Sequence, residues 1–300
     1  MDDLISNLKV TFMRSEKNIG TILLFLFPAL AGLVLFKLYP ILSGFVQSLY
    51  TTTFITGGRS FVGLQNYISL FTDPVFWNSL KVTLLFNVII NPLQILLAFF
   101  LALLLNAKIK RIAWFRSVHF VPVAISVPTA CMLWNIMLSP EQGVVNSILA
   151  ALGLPQQPFL GSSSQALGSI IAIASWKGVG YWALFLLAGL QEVPTSLLEA
   201  SSLDGASRWK QMIHIVYPML KRPLTFVVVS VTTANFLLFS PMYILTKGGP
   251  ENSTDVLMFE SFNNAFLYSD LGRSSSIVVT LLLITLTIVA FQFRWLKTSH

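Results

Sequence analysis

The sequence predicts an all-α integral membrane protein, with six transmembrane helices and a folded cytoplasmic hairpin between the fourth and fifth. Three observations carry that prediction. Only 10% of the residues are charged and 55% are hydrophobic, with a mean hydropathy of +0.74, whereas a soluble domain carries about 25% charged residues. Apolar runs long enough to cross a bilayer core, which takes about 20 residues, recur at 19–47, 82–106, 117–138, 168–190, 224–246 and 275–295. The basic residues also segregate. Thirteen of the 19 Lys and Arg fall in the N-tail, the C-tail and the loops after the second and fourth runs, and four fall in the alternate loops. Short loops rich in Lys and Arg stay on the cytoplasmic side. Both termini and the loop between the fourth and fifth spans are therefore expected in the cytoplasm, and the even number of spans agrees.

The elements follow in order. An N-tail, 1–18, carries Lys9, Arg14 and Lys17 ahead of the first apolar run, which ends without a small-residue cleavage site and reads as a retained span. Residues 19–296 form a single transmembrane domain, followed by a C-tail at 297–300. The first span contains Lys37 and the fourth Lys177, whereas residues 82–107, 117–140, 223–246 and 274–293 contain no Lys, Arg, Asp or Glu. Pro28, Pro40, Pro92, Pro122, Pro128 and Pro241 lie in or beside spans, where neighbouring helices can re-satisfy the backbone. The outer loops TTTFITGGRS, SPEQG, LPQQPFLGSSS and TKGGPENSTD are turn-rich. They read equally as solvated connectors or as contacts for an extracytoplasmic partner.

Between the fourth and fifth spans the chain turns polar. Ser196 and Glu199 have capping-box spacing and predict a helix start. Asp204-Gly205 breaks that helix, because Gly takes positive φ freely where an L-residue loses roughly 1–2 kcal/mol. A second helical stretch is expected over 206–216, ended by Pro218, with Trp209, Met212, Ile213 and Val216 forming one apolar face. Residues 194–218 thus read as a helix-turn-helix hairpin at the membrane surface. It is either an amphipathic linker resting on lipid or a rigid element for docking another protein.

Composition also excludes classes. An ion-coupled transporter needs Asp or Glu inside its spans, and all twelve acidic residues lie in tails or loops. Converging groups for a membrane enzyme are missing. His119, His214 and His300 are scattered and give no metal pattern. The single cysteine, Cys131, reads as a small apolar core residue. The net charge of +7 follows the loop topology and gives no nucleic-acid footprint. Within the spans, Asn87, Asn91, Gln94, Asn135, Lys177, Asn235 and Tyr243 are the candidates for a transport path. The alternative for each is a hydrogen bond to a neighbouring helix, worth about 0.6 kcal/mol.

The hairpin resembles the EAA loop of the membrane subunits of bacterial ATP-binding-cassette importers. Glu199, Ala200, Gly205, Ile215 and Pro218 stand at the family's spacings, and Asp204 and Ala206 complete its Asp-Gly-Ala core; Ser201 replaces the second Ala and Tyr217 a Leu. The stretches YPILSGFVQSL (39–49), FVGLQNY (61–67), SPEQGVVNSIL (139–149), AGLQEVP (188–194) and LTKGGPENST (245–254) are similar to the carbohydrate branch of that family, the maltose and glycerol-phosphate importer permeases. The resemblance covers nearly the whole chain.

It implies the type I importer permease fold and a non-enzymatic transport subunit. The partners it implies are two cytoplasmic ATPases, a second permease, in this branch usually a different one and otherwise an identical copy, and an extracytoplasmic solute-binding protein, in a bacterial inner membrane. ATP and Mg would sit on the ATPases, since this chain has no G-x-x-x-x-G-K-[ST] loop and is expected to bind no cofactor. The hairpin would be the coupling helix. Glu199 would supply a polar contact and a helix cap, Ala200 and Ala206 close approach, and Gly205 the turn. In the substrate path, Gly178 and Asn235 match lining residues of the maltose branch, and Trp176, Lys177 and Tyr181 belong to the same stretch. Val123, Val127 and Leu238 stand where that site is polar or aromatic, so maltose itself is not implied. Phe239 would stack on a sugar ring or fill a gate. Lys177 raises the alternative of an acidic sugar or a glycerophosphate-type cargo.

Overall fold

The computed structural model describes residues 20, 22–53, 58–107, 110 and 112–296. The N-tail 1–18, the C-tail 297–300 and the basic residues Lys9, Arg14, Lys17, Lys108, Arg111 and Lys297 lie outside the described residues. Among the described residues five helices are long and apolar enough to cross a membrane, and a sixth candidate is a bent pair.

The first, α1 (Ile22–Gln47), contains a π-helical turn at Val34–Leu38. None of its most apolar stretch is buried within the chain. Phe25 and Phe36 stand almost fully exposed, which suits a helix bathed in lipid or covered by another subunit. The first outer loop, expected to be irregular, is a short antiparallel hairpin of β1 (Tyr50–Thr53) and β2 (Gly58–Phe61), with Tyr50 opposite Phe61. Helix α2 (Gln65–Thr72) follows. Asn66 donates to the carbonyls of Ser48 and Tyr50, and the Tyr67 hydroxyl donates to Ser48, so this corner is tied together by buried polar bonds.

Helix α3 (Pro74–Asn106) starts eight residues ahead of the predicted second span. Asp73 caps it by accepting from the amide of Val75, and Pro74 fills the first helical turn, where its missing N–H costs nothing. Lys81 ends the apolar window without ending the helix. At the other end Arg116 donates to the carbonyl of Leu105, one of the orphan acceptors of the last turn.

The predicted third span is bent rather than straight. It is two helices, α4 (Ile112–Ala124) and α5 (Val127–Met137), bent by 99°. Ser126 is in extended conformation and caps α5 by accepting from Thr129, and Pro128 occupies the first turn of α5. Pro128 has no N–H to offer the Ala124 carbonyl four residues back and its ring would clash with it, so this proline starts a new helix rather than riding inside an old one. Helix α6 (Val144–Ala151) lies in the outer loop, where Asn146 bonds Pro140 and both the amide and the carbonyl of Gln157. Helix α7 (Ala166–Gln191) is the fourth span and packs along α3.

Helix α8 (Thr195–Leu203) leads to α9, which is continuous from Arg208 to Phe236. Pro218 therefore does not end the second arm of the hairpin: it lies within the helix that becomes the fifth span. A π-helical turn at Met212–Val216 loosens the ladder just before it. Helix α9 stops at Phe236 instead of residue 246, and a separate turn with π-helical Met242–Thr246 follows Pro241. Helix α10 (Leu257–Phe266) precedes the last span, α11 (Leu271–Leu296).

Three apolar clusters hold the bundle. One joins α3, α7 and α9 through Ala98, Leu105, Leu186, Leu220 and Val227. A second sits above it around Phe86, Ile90, Ile170 and Met242, and a third joins Phe76, Phe236, Leu257 and Ile277. Close crossings explain two glycines. A Cβ on Gly189 would lie 2.6 Å from Pro223 of α9, and one on Gly180 would lie 2.4 Å from the His119 carbonyl of α4. Arg273 at the start of α11 pairs with Asp73 at the start of α3, so those two ends share one face. Ile22 and Leu296 consequently lie at the opposite end of the bundle, the same end as the α8–α9 hairpin.

Candidate functional site

The hairpin is a compact unit. Helix α8 ends in a Schellman motif: the Ala206 amide bonds the Ser201 carbonyl at 2.9 Å and the Gly205 amide bonds Ser202 at 3.1 Å. That closure needs a left-handed residue, and Gly205 supplies it with φ +78°. Ser207 then caps α9 by accepting from Lys210.

The Ser196–Glu199 capping box does not form. Pro194 holds the N-cap position, Ser196 already lies inside the helix, and no side chain caps its start. Glu199, Ala200, Asp204 and Gly205 are exposed along the outer surface, with Ser201, Ala206 and Ile215 half-buried and Pro218 exposed. The expected apolar face divides. Val216 is buried and Met212 packs on the bundle core. Trp209 and Ile213 point outward, and with Leu203, 90% exposed, and Trp209, 72% exposed, they leave an apolar tip on a polar hairpin.

The residue that joins the two arms escaped the sequence reading. Gln211 of α9 donates through Nε2 to the Leu198 carbonyl at 3.1 Å, to Ser201 Oγ at 3.0 Å and to Ser202 Oγ at 2.7 Å, all on α8. Ser201, the departure from Ala in the family pattern, is thus part of the latch. The available signal was a single glutamine on the inner face of the second arm, which has no short-range signature.

The membrane cavity, of about 240 Å³, opens between α3, α5, α7 and α9. It brings together Gln94, Lys177, Gly178, Tyr181 and Asn235 of the predicted path and adds Cys131 and Trp182. Of the in-span candidates, Asn87, Asn91, Asn135 and Tyr243 do not line it, and two residues that the resemblance placed in the path also fall elsewhere. Trp176 turns away and meets Trp134 edge-on, with ring centroids 5.5 Å apart. Phe239 stacks on Phe262 of α10, centroids 5.5 Å apart and planes 30° apart, and is used up in packing.

The cavity wall is mostly apolar, and Val123, Val127 and Leu238 contribute to it. Gly178 leaves room for Gln94, whose Nε2 lies 3.1 Å from where a Cβ would be. Lys177 Nζ donates to the Pro122 carbonyl at 3.5 Å. Among the described residues no group of His, Cys, Asp and Glu is arranged to hold a metal ion.

Outside the spans, beneath the outer loops, two carboxyls are buried. Asp255 is 4% exposed and accepts from Ser79 at 2.8 Å. Burial pushes its carboxyl up to about 7, against the lowering effect of the Ser79 bond and with help from nearby Glu260. Burial likewise raises Glu260, opposed by its bond from Asn264 and by Arg273.

A bundle of apolar helices, with an inner and mostly apolar cavity that carries Gln94, Lys177 and Asn235 and with a latched hairpin at one end, is the architecture of a multi-helix transport subunit. Residues 94–296 match the family described as binding-protein-dependent transport system inner membrane component, and the chain belongs to that family. It is 34% identical over 272 residues to the sn-glycerol-3-phosphate transport system permease protein UgpA of Agrobacterium fabrum, covering 90% of this chain and 92% of that one. It is 35% identical over 280 residues to the lactose transport system permease protein LacF of Rhizobium radiobacter, covering 89% and 92%. A crystal structure of a bacterial ABC transporter involved in import of the acidic polysaccharide alginate contains a chain of similar fold, with a TM-score of 0.83 at 20% identity over 95% of this chain and 98% of that one.

Proposed function

We propose that this chain forms half of the translocation pathway of an ATP-driven importer of sugars or sugar-like polyols, and that the 194–218 hairpin couples it to separate ATPases in the cytoplasm. The observation that carries this is the fusion of hairpin and cavity in one helix. Helix α9 begins at the latched hairpin and ends beside the cavity at Asn235, so a partner that moves the exposed tip moves the cavity wall. The tip itself suits docking, because Leu203 and Trp209 expose large apolar surfaces beside the polar flank of Glu199 and Asp204. The ATPases would hold ATP and Mg. A second permease would face the cavity and the exposed helices, and a solute-binding protein would meet the built outer loops. Both termini would be cytoplasmic, in keeping with the seven described basic residues at the hairpin end, Lys110, Arg116, Arg208, Lys210, Lys221, Arg222 and Arg294.

The test is co-purification. The chain is tagged at its C-terminus in its native host, solubilised gently, and compared with Gly205→Arg. An ATPase and a second permease should co-purify with the wild type, and the ATPase should be weakened in the variant. A chain that emerges alone in both preparations overturns the coupling reading.

One observation favours a second reading of the cargo. Lys177 lines the cavity and has a single long bond to a carbonyl, which leaves donor capacity for an anionic group such as the phosphate in the name of the relative UgpA. Lys177→Gln separates the two: uptake of a neutral sugar is retained, whereas uptake of an anionic cargo falls by about tenfold or more.

A further inference from the structure

A polar stripe climbs α3 at helical spacing: Ser79, Thr83, Asn87, Asn91 and Gln94. Ser79, Thr83, Asn87 and Gln94 are buried. Its last members reach Asn235 across the cavity edge. The direction of hydrogen bonding along the stripe can be deduced, because both of its anchors are backbone carbonyls, which only accept.

The first anchor is Thr83. Its carbonyl lies 2.9 Å from the Asn87 side chain, so the Asn87 atom there is Nδ2. The Asn87 oxygen then faces Asn91, whose Nδ2 donates to it at 3.3 Å. That leaves the Asn91 oxygen toward Asn235, at 2.8 Å. The second anchor is Ala174 on α7. Its carbonyl fixes Gln94 Nε2 at 3.1 Å, so the Gln94 oxygen also faces Asn235, at 3.1 Å. Two independent chains therefore require the same atom of Asn235 at that point, its amino nitrogen, and both hydrogens of Nδ2 are consumed. Reversing the amide would set three oxygens against one another in a site where an unmade bond loses about 1–3 kcal/mol. Oδ1 takes no hydrogen bond among the described residues and is left to the cavity that Asn235 lines.

We infer that Asn91 and Gln94 are positioning residues that fix Asn235 with its carbonyl toward the cavity, so that this wall of the cavity recognises a hydrogen-bond donor on the cargo, such as a sugar or polyol hydroxyl. The inference rests on the reading of the cavity as the cargo site. It adds that the wall is an acceptor by construction. The donors around the same cavity, the Lys177 ammonium, the Tyr181 hydroxyl and the Trp182 indole N–H, are on α7. A cargo spanning the cavity then meets an acceptor on α9 and donors on α7, which matches a hydroxyl, itself both donor and acceptor.

The experiment has two arms, both on the intact complex in lipid bilayers. Ala234–Asn235 is the one Ala–Asn pair in the sequence, so carbonyl-labelled Ala with ¹⁵N-labelled Asn selects residue 235 in solid-state NMR. Its side-chain amide is then followed through a transfer into D₂O. Both Nδ2 protons should survive a soak that exchanges the exposed asparagines. Protection should be lost in Gln94→Leu and in Asn91→Leu and retained in Gln94→Glu, whose protonated carboxyl donates its O–H to the Ala174 carbonyl and still accepts from Nδ2. Rapid exchange in the wild type, or protection indifferent to both leucine variants, overturns the inference.

The second arm measures uptake of lactose and of sn-glycerol-3-phosphate. For a transported probe, Asn91→Leu should raise KM about fivefold to tenfold with kcat nearly unchanged, and Asn91→Asp, whose protonated carboxyl donates its O–H to Asn87 Oδ1 and still accepts from Asn235, should restore it. A fall in kcat alone, shared by both Asn91 variants, overturns the positioning role. If the wild type moves neither probe, the sugar and polyol reading fails, and the exchange arm still decides the orientation of Asn235.

Discussion

Replacing Gln211 with Met removes the latch of the hairpin while keeping the length and most of the volume of the side chain. Gln211 Nε2 has two hydrogens and three acceptors within 3.1 Å on α8, so about two full hydrogen bonds are lost. At about 0.5–1.5 kcal/mol each, and with the site half open to water, the opening of α8 from α9 should become easier by about 1–2 kcal/mol. That corresponds to about a 5- to 30-fold rise in the open population. Hydrogen exchange of the intact complex, read by mass spectrometry on peptides covering 199–206, measures it directly. The Gly205 and Ala206 amides, which close the Schellman motif, should exchange faster by that factor, while peptides from the middle of α7 stay unchanged. Gln211→Glu should recover part of the protection, because its carboxylate can accept from the Ser201 and Ser202 hydroxyls but cannot donate to the Leu198 carbonyl. Equal protection in wild type and Met variant refutes the latch.

Further predictions concern the rest of the fold. Gly205→Ala should weaken the hairpin turn by roughly 1–2 kcal/mol through backbone strain at φ +78°, and Gly205→Asn should recover much of the loss; exchange at Ala206 distinguishes them. Gly189→Val should yield little folded protein by size-exclusion chromatography, because its side chain would collide with Pro223. The carboxyl of Asp255 is raised to about 7 from an ordinary 3.8, so the folded state holds its proton longer than the unfolded chain. Its contribution to stability is greatest below about pH 4 and falls as pH rises towards 7. Asp255→Asn should accordingly raise the thermal midpoint at pH 8, with the advantage shrinking toward pH 5. Trp176→Phe should leave transport within about twofold of wild type, since its ring packs on Trp134 outside the cavity.

Much of this fold is legible in the sequence because membrane solvation enforces simple rules. A span must be long and apolar, and basic loops group on one side; five of the six apolar runs are long continuous helices. What was misjudged lies at prolines and caps. Asp73-Pro74, Ser126 with Pro128, and Pro241 are start signals for helices, and hydropathy averaging smooths over them. Pro218 shows the reverse: a proline expected to stop a helix lies inside one, because a π-helical turn precedes it. In the cavity, Lys177, Gly178, Tyr181 and Asn235 come together because α7 and α9 each present one face to it. Trp176 and Phe239 are next to or near such positions in sequence, yet their side chains are committed to Trp134 and Phe262. Periodicity cannot separate a residue that lines a void from its neighbour that fills one. Gln211 was invisible for another reason: its three bonds depend on the angle between two helices, which sequence spacing does not encode.

The 99° break between α4 and α5 has an electrostatic side. Because α4 ends at Ala124, the carbonyl of Pro122 has no amide one turn ahead, and it is this oxygen that holds Lys177. The negative end of the α4 dipole also faces that ammonium. Were the two segments to straighten into one helix, the Ser126 amide would claim the Pro122 carbonyl, and the dipole end would move away. Lys177 would lose its resting place and turn a bare positive charge into the cavity. The charge at this cavity wall is therefore held by a neighbouring backbone carbonyl and helix end, with no acidic side chain in the lining.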